Sequence, residues 1–254
     1  MTDKPPSASP EQLMELIRRA PLSFVGTVTR IGGTSLVAVP ADLKEEYTAV
    51  VKVNEVLHAP DDFRQLAGSE VTVQLASSLE VGDTRAFFTQ GMVYGESLGL
   101  IELERLPAEA VQRHVSMAAT TADEMPFSAL QREIRDQDIA QHAEDADAVV
   151  VGAVGGLEEV GLAAFSEHDP QWWRAKIDVS IVERGDVAPG RIDVLYPSSA
   201  DRRWHRVPKP QPGQEGLWFL HVTGGDLHAE APFQLLHPYD YQPMQKLAVL
   251  QGRR

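Results

Sequence analysis

Residues 198–213 read SSADRRWHRVPKPQPG. Arg202, Arg203, Trp204, His205, Arg206 and Lys209 form the dense basic run of a chain whose formal net charge is −14. Guanidinium groups beside an indole suit two kinds of partner. One is an acidic protein surface, held by charge-assisted hydrogen bonds; the other is phosphate with base stacking. If the run binds, Arg203 and Trp204 are expected to carry most of the energy, as Arg and Trp do at interface centres. The plain alternative is a solvated, Pro-bounded insertion whose cations pair with the protein's own carboxylates. Ser198, Ser199, Asp201 and His205 supply the parts of a nucleophile and base. No nucleophile elbow, paired-carboxylate motif or phosphate loop accompanies them. No catalytic residue is assigned, and the chain is read as non-enzymatic.

The histidines are the next chemistry-bearing set. His205, His221, His228 and His237 lie in the last quarter of the chain, with Asp226 and Glu230 nearby. Zinc sites in sequence show closely spaced ligand pairs, and these histidines show none. No metal and no cofactor are expected. The chain has no cysteine, which removes disulfides, thiolate ligands and a Cys nucleophile, and fits a cytoplasmic protein. The opening MTDKPPSASPEQ lacks the basic-then-apolar pattern of a signal peptide. No apolar run approaches the ~18 residues of a membrane span, so no membrane partner is expected. The segment 107–147 carries a net charge of −6 and is the most acidic for its length. This acidity disfavours a phosphate backbone without forbidding it, and suits a protein partner.

These residues need elements to position them, and the elements occur twice. Phe24-Val25-Gly26-Thr27-Val28 recurs as Val150-Val151-Gly152-Ala153-Val154, an offset of 126. YTAVVKVNEVL and WWRAKIDVSIV follow, with Val53 and Val56 falling on Val179 and Val182 at the same offset. A third strand opens at Gly68 and Gly190, and a fourth at Gly82 and Gly213. The fifth is weaker: LGLIELERL from Leu98 and DLHAEAPFQLL from Asp226. The pairs Phe87-Phe88 and Trp172-Trp173 should each send one ring inward and one outward. GGTS at 32–35 and GGLEEVG at 155–161 read as loops after the first strands. A helix precedes each set. In SPEQLMELIRRA, Ser9 caps, Pro10 opens the first turn and Leu13, Leu16 and Ile17 share a face. In SALQREIRDQDIAQHAEDAD, Leu130, Ile134 and Ile139 do so. Further helices are expected over 107–126 and in MQKLAVLQG.

Five short strands beside a helix suggest a small barrel of the OB type. ADAVVVGAV, IDVSIVERGDVAPGRIDVLY and PGQEGLWFL resemble the tissue-inhibitor-of-metalloprotease and netrin-like OB family. FVGTVTRI, VKVNEVLHAP, LAGSEVTVQL and VGDTRAFF resemble it too. The resemblance implies a fold only. That family inhibits through an N-terminal Cys, which this chain lacks.

The expected architecture is mainly β with flanking helices: two tandem five-stranded OB-like barrels joined by a helical linker. Residues 1–20 form the leader and helix, 21–106 the first barrel, 107–147 the acidic linker, 148–242 the second barrel, and 243–254 the tail. The expected function is a non-catalytic protein-binding adaptor or a structural subunit of a larger assembly. The alternative is a single-stranded nucleic-acid binder using the basic 202–209 loop.

Overall fold

The computed structural model describes residues 8–36, 47–94, 97–112, 124–161, 168–199 and 201–252. The chain divides into two compact units, residues 1–134 and 135–254.

Unit 1 begins with helix α1, Pro10–Arg19. The Ser9 hydroxyl accepts the Gln12 N–H at 3.1 Å, and Leu13, Met14, Leu16 and Ile17 are buried. Strands β1 (Leu22–Ile31), β2 (Thr48–His58), β3 (Glu70–Gln74), β4 (Thr84–Tyr94) and β5 (Ser97–Pro107) close into a barrel in the order β1-β2-β3-β5-β4. β3 and β5 run parallel and the other pairs antiparallel. This is an OB-like barrel. Phe24, Val28, Val51, Val53, Val73 and Phe87 fill its interior. Each such buried side chain contributes about 1.5–3 kcal/mol. Strand alternation turns Phe88 the other way, into a second cluster with Leu13, Ile17 and Phe127. The Phe pair thus divides between barrel and helix as the pattern requires.

The helix Ser128–Asp145 begins in unit 1, where Leu130 joins the cluster around α1, and ends in unit 2. Of the helix expected over 107–126, residues 108–112 are helical and residues 113–123 lie outside the described residues.

Unit 2 contains β6 (Ala148–Glu159), β7 (Gln171–Arg184), β8 (Gly190–Ser198), β9 (Glu215–Val222), β10 (Phe233–Gln234) and β11 (Tyr241–Gln242). They form a six-stranded sheet in the order β10-β8-β7-β6-β9-β11, with β10 also bonded to β9. β10 pairs parallel with β8 and antiparallel with β9, so β6, β7, β8, β10 and β9 follow one another in the order seen in unit 1. The expected second set of five strands differs in two places. The fifth strand, read from Asp226 to Leu236, shrinks to two residues. Gly225–Ala229 turns as a 3-10 helix, and Pro232 has no N–H for a ladder. β11 is an addition that the repeat does not contain. GGLEEVG is also misread as a loop: Gly155 to Glu159 continue β6, and Gly156 to Glu159 pair with β7. Trp173 packs against the main cluster of the sheet, and Trp172 against a separate one with Val160, Leu195 and Ala231. The chain closes with a 3-10 turn, Met244–Lys246, and a short helix, Leu247–Gln251.

The repeat is visible in register. Gly26 stands opposite Val53, and Gly152 opposite Val179. A Cβ on Gly152 would meet the Asp178 carbonyl oxygen at 2.8 Å, and one on Gly26 would meet a Val51 methyl at 2.5 Å. Gly82 and Gly213 both take left-handed backbone, φ +94° and +80°. Their N–H groups donate to the Val28 and Val154 carbonyls at 2.8 and 2.7 Å. Among the described residues no helix is long and apolar enough to cross a membrane.

Candidate functional site

The basic run lies between β8 and β9 on a turn that its own sequence builds. Asp201 organises it. Its Oδ1 accepts the Arg203 N–H at 2.8 Å, the local bond that makes Asp a turn former. Its carbonyl accepts the N–H groups of Trp204 and His205, each at 2.9 Å. Its Oδ2 lies 3.1 Å from His168 Nδ1. The Arg203 N–H and then the His168 hydrogen bond hold the Asp201 carboxyl below its usual range.

Three residues pin this turn to unit 2. Val207 is buried in the sheet's main cluster, and Trp204 packs against the same cluster. The indole N–H of Trp204 donates to the His168 carbonyl at 3.1 Å, and its ring lies 6.3 Å from that of Trp172. The Lys209 ammonium donates to the carbonyls of Pro197 and Trp204, the latter at 2.9 Å. Burial pushes the Lys209 amine down from its ordinary value.

The six expected site residues therefore separate. Arg202, Arg203, His205 and Arg206 are exposed. Trp204 and Lys209 are committed to holding the turn. Trp204 is half-buried and tied to the sheet, whereas the expected arginines are exposed. The segment is anchored at Trp204, Val207 and Lys209, and its arginines project from the anchored part. Arg202 and Arg206 stand four residues apart around one helix-like turn, the spacing that places side chains on one side. Neither forms an ion pair among the described residues.

The hydroxyl and imidazole groups of the same run do not assemble a nucleophile and base. Ser199 Oγ accepts the Asp201 N–H at 3.1 Å, and His205 Nδ1 lies 2.9 Å from the Arg202 carbonyl.

The cations on β7 and β8 are in a different state. Arg174 reaches Glu230 at 2.7 Å and Glu158 at 3.5 Å. Lys176 also reaches Glu158, at 3.1 Å, and Arg191 reaches Asp178 at 2.8 Å. Strands two and three are where OB folds hold oligonucleotides. In unit 2 the matching strands have these cations already neutralised.

The histidines also separate. His205 belongs to the turn, and His228 Nδ1 lies 3.2 Å from the Thr223 hydroxyl. His221 and His237 meet two residues that the sequence reading missed. One is His142, on the helix Ser128–Asp145; the other is Asp240, just before β11. His142 Nε2 lies 2.6 Å from Asp240 Oδ1, and His221 Nε2 lies 3.0 Å from the same oxygen. Asp240 Oδ2 accepts the N–H groups of Leu236 at 2.5 Å and His237 at 2.7 Å. The His237 ring centroid is 4.2 Å from that of His142. Burial pushes the Asp240 carboxyl up, but hydrogen bonds from His142, His221 and the His237 N–H outweigh it and leave it below the usual range. The hydrogen bond to Asp240 raises the His221 imidazole. Burial and then the neighbouring His142 lower that of His237.

One signal could have found this cluster. At the offset of 126, His142 falls on Leu16, and Ile139 and Ala143 fall on Leu13 and Ile17. An apolar helix face has been interrupted by an imidazole.

No protein family and no curated protein matches this sequence. A solved structure described as a murine DNA-binding protein bound with double-stranded DNA is 12% identical, covering 87% of this chain and 96% of that one, at a TM-score of 0.20. That neighbour's description names DNA and no protein partner, so the comparisons offer the adaptor reading no support. The adaptor or scaffold function is withdrawn. The kinship with tissue inhibitors of metalloproteases and netrins is withdrawn too, since no family match supports it. So low a TM-score carries no argument about a site, and no residue or groove passes from that protein to this chain.

Proposed function

We propose that this protein binds nucleic acid through the phosphate backbone, using Arg202, Arg203 and Arg206. One observation carries the reading. Three arginines project from a single pinned turn, while Arg174, Lys176 and Arg191 on β7 and β8 are spent on Glu158, Asp178 and Glu230. Guanidinium forks match phosphate oxygens bidentately, and a pinned turn loses little freedom on binding. Contacts of this kind position the strand and do not read its sequence. Stacking on Trp204 is not part of the mode, because its ring and N–H are already engaged.

Fluorescence anisotropy with a labelled single strand, and with the same sequence as a duplex, tests the reading. Three neutralised phosphates give a slope of log K against log salt of about −2 for the single strand and about −2.7 for the duplex. R202E/R203E/R206E should abolish binding and leave Tm unchanged, since exposed charges contribute little to folding. Lys176→Gln and Arg191→Gln should shift affinity less than about twofold. The reading fails if neither oligonucleotide binds at low salt, or if the triple variant binds like the parent chain.

A further inference from the structure

We propose that His142, His221 and Asp240 form a binding site for one divalent transition-metal ion, zinc in the first place, with a coordination position left open. The inference is independent of nucleic-acid binding and uses none of the same residues. It departs from the expectation of no metal, which rested on the absence of Cys and on the linear spacing of the histidines.

The donor set is the first argument. Two imidazole Nε2 atoms and one carboxylate oxygen converge, all within 4.8 Å of one another. Imidazole and carboxylate together suit zinc and its neighbours in the first transition row. Zinc bonds of about 2.0 Å in tetrahedral geometry would hold the ligand atoms about 3.3 Å apart. The two Nε2–Oδ1 separations are 2.6 and 3.0 Å. Opening them by about 0.7 and about 0.3 Å admits the ion.

The supporting shell is the second. Asp240 is fully buried, and its Oδ2 is fixed by two backbone N–H groups. That leaves Oδ1 aimed between the two rings. Such second-layer hydrogen bonds orient a ligating carboxylate. The Asp240 carbonyl in turn accepts the Phe219 N–H at 2.8 Å, which ties the residue to β9. The carboxylates of Asp145 and Asp147 add a negative field at His221. The side chains of His142 and His221 remain 14% and 22% exposed, so an ion has a way in.

The third argument comes from the repeat. In unit 1 Leu13, Leu16, Ile17 and Phe88 are buried together in one apolar cluster between α1 and its strands. In unit 2 Ile139, Ala143 and Phe219 keep the corresponding positions, and His142 replaces the leucine. Asp240 arrives on the segment leading into β11, a strand absent from the barrel of unit 1. Burying an aspartate among imidazoles is costly compared with apolar packing. Unit 1 buries Leu16 at the position equivalent to His142, so an apolar residue can serve there, and the His–Asp–His set points to a ligand. The His237 ring lies beside that of His142, tilted by 33°.

The test uses the full chain. Zn2+ is titrated into it by calorimetry, and Co2+ by visible absorption. The expected result is one ion per chain, cobalt bands of a low-coordinate site, and a Tm raised by Zn2+. His142→Leu restores the residue that unit 1 carries and should fold. It, His221→Leu and Asp240→Asn should each weaken Zn2+ at least ~100-fold and cancel the Tm shift. Histidine ring nitrogen spectra of the unmodified chain should show His142 and His221 Nε2 moving on Zn2+ addition, which tests the site even where a variant misfolds. No stoichiometric binding, binding that survives His142→Leu, or ring signals that do not respond would each overturn the proposal and leave a purely structural His–Asp–His cluster.

Discussion

Removing the indole of Trp204 separates an anchor from a contact. The structure assigns Trp204 to the sheet: it packs on the main cluster of unit 2, lies 6.3 Å from Trp172 and donates its N–H to the His168 carbonyl. A Trp side chain buries roughly 150–250 Å². For this mostly buried ring, truncation to alanine loses about 110 Å² of apolar burial. At about 25 cal/mol/Å² that is about 2.7 kcal/mol. The hydrogen bond to His168 adds about 0.5 kcal/mol at this partly exposed position. Trp204→Ala should therefore cost about 3 kcal/mol, while Trp204→Phe keeps most of the packing and should cost about 1 kcal/mol. Urea unfolding followed by far-UV circular dichroism reads both. With m near ~2 kcal/mol/M, the midpoint falls by about 1.5 M for the alanine variant and about 0.5 M for phenylalanine. Trp204→Phe should also keep oligonucleotide affinity within about twofold, because the arginines stay where they are and no stacking is lost. An alanine variant as stable as the parent that nonetheless loses oligonucleotide binding would refute the anchor assignment. It would return the indole to the contact surface.

Two further outcomes follow from the packing and the titrating groups. Gly152→Ala should destabilise by about 1–3 kcal/mol in thermal unfolding and by more than Gly26→Ala, because its new methyl meets the Asp178 backbone oxygen at 2.8 Å, whereas the nearest atom at Gly26 is a Val51 side-chain methyl. Burial lowers the His58 imidazole below its ordinary value. Between its folded value and the unfolded value near ~6.5 the unfolded chain binds the extra proton, so this group's contribution is intact above ~6.5 and is lost as pH falls below it. Urea midpoints for the parent and His58→Gln, compared at neutral and mildly acidic pH, should show a smaller acid loss in the variant, and equal losses would contradict the assignment.

Much of the scaffold is legible in the residues themselves. Strand alternation sends Phe87 into the barrel and Phe88 against α1, because successive side chains on a strand face opposite sides. Ser9, Pro10 and Gln12 mark the start of α1, because a capping bond spans three residues. The paired glycines, Gly26 with Gly152 and Gly82 with Gly213, mark close strand crossings and left-handed turns, demands that act on single residues. The basic run at 202–206 is equally local. What side chains do across the fold is not. Whether a cation is free depends on the strand beside it: Lys176 is neutralised by Glu158 from β6, and Arg174 by Glu158 and by Glu230 from beyond β9. Trp204 becomes an anchor only because the main cluster of unit 2 lies against its ring and the carbonyl of His168, 36 residues earlier, accepts its N–H. His142, His221 and Asp240 come from a helix, a strand and the approach to an added strand. Only the pairing of β11 with β9, Tyr241 opposite Trp218, brings Asp240 to the histidines. Local periodicity follows from backbone geometry and can be read along the chain. A polar site assembled from three elements depends on which strands pair, and that is decided only when the chain closes on itself.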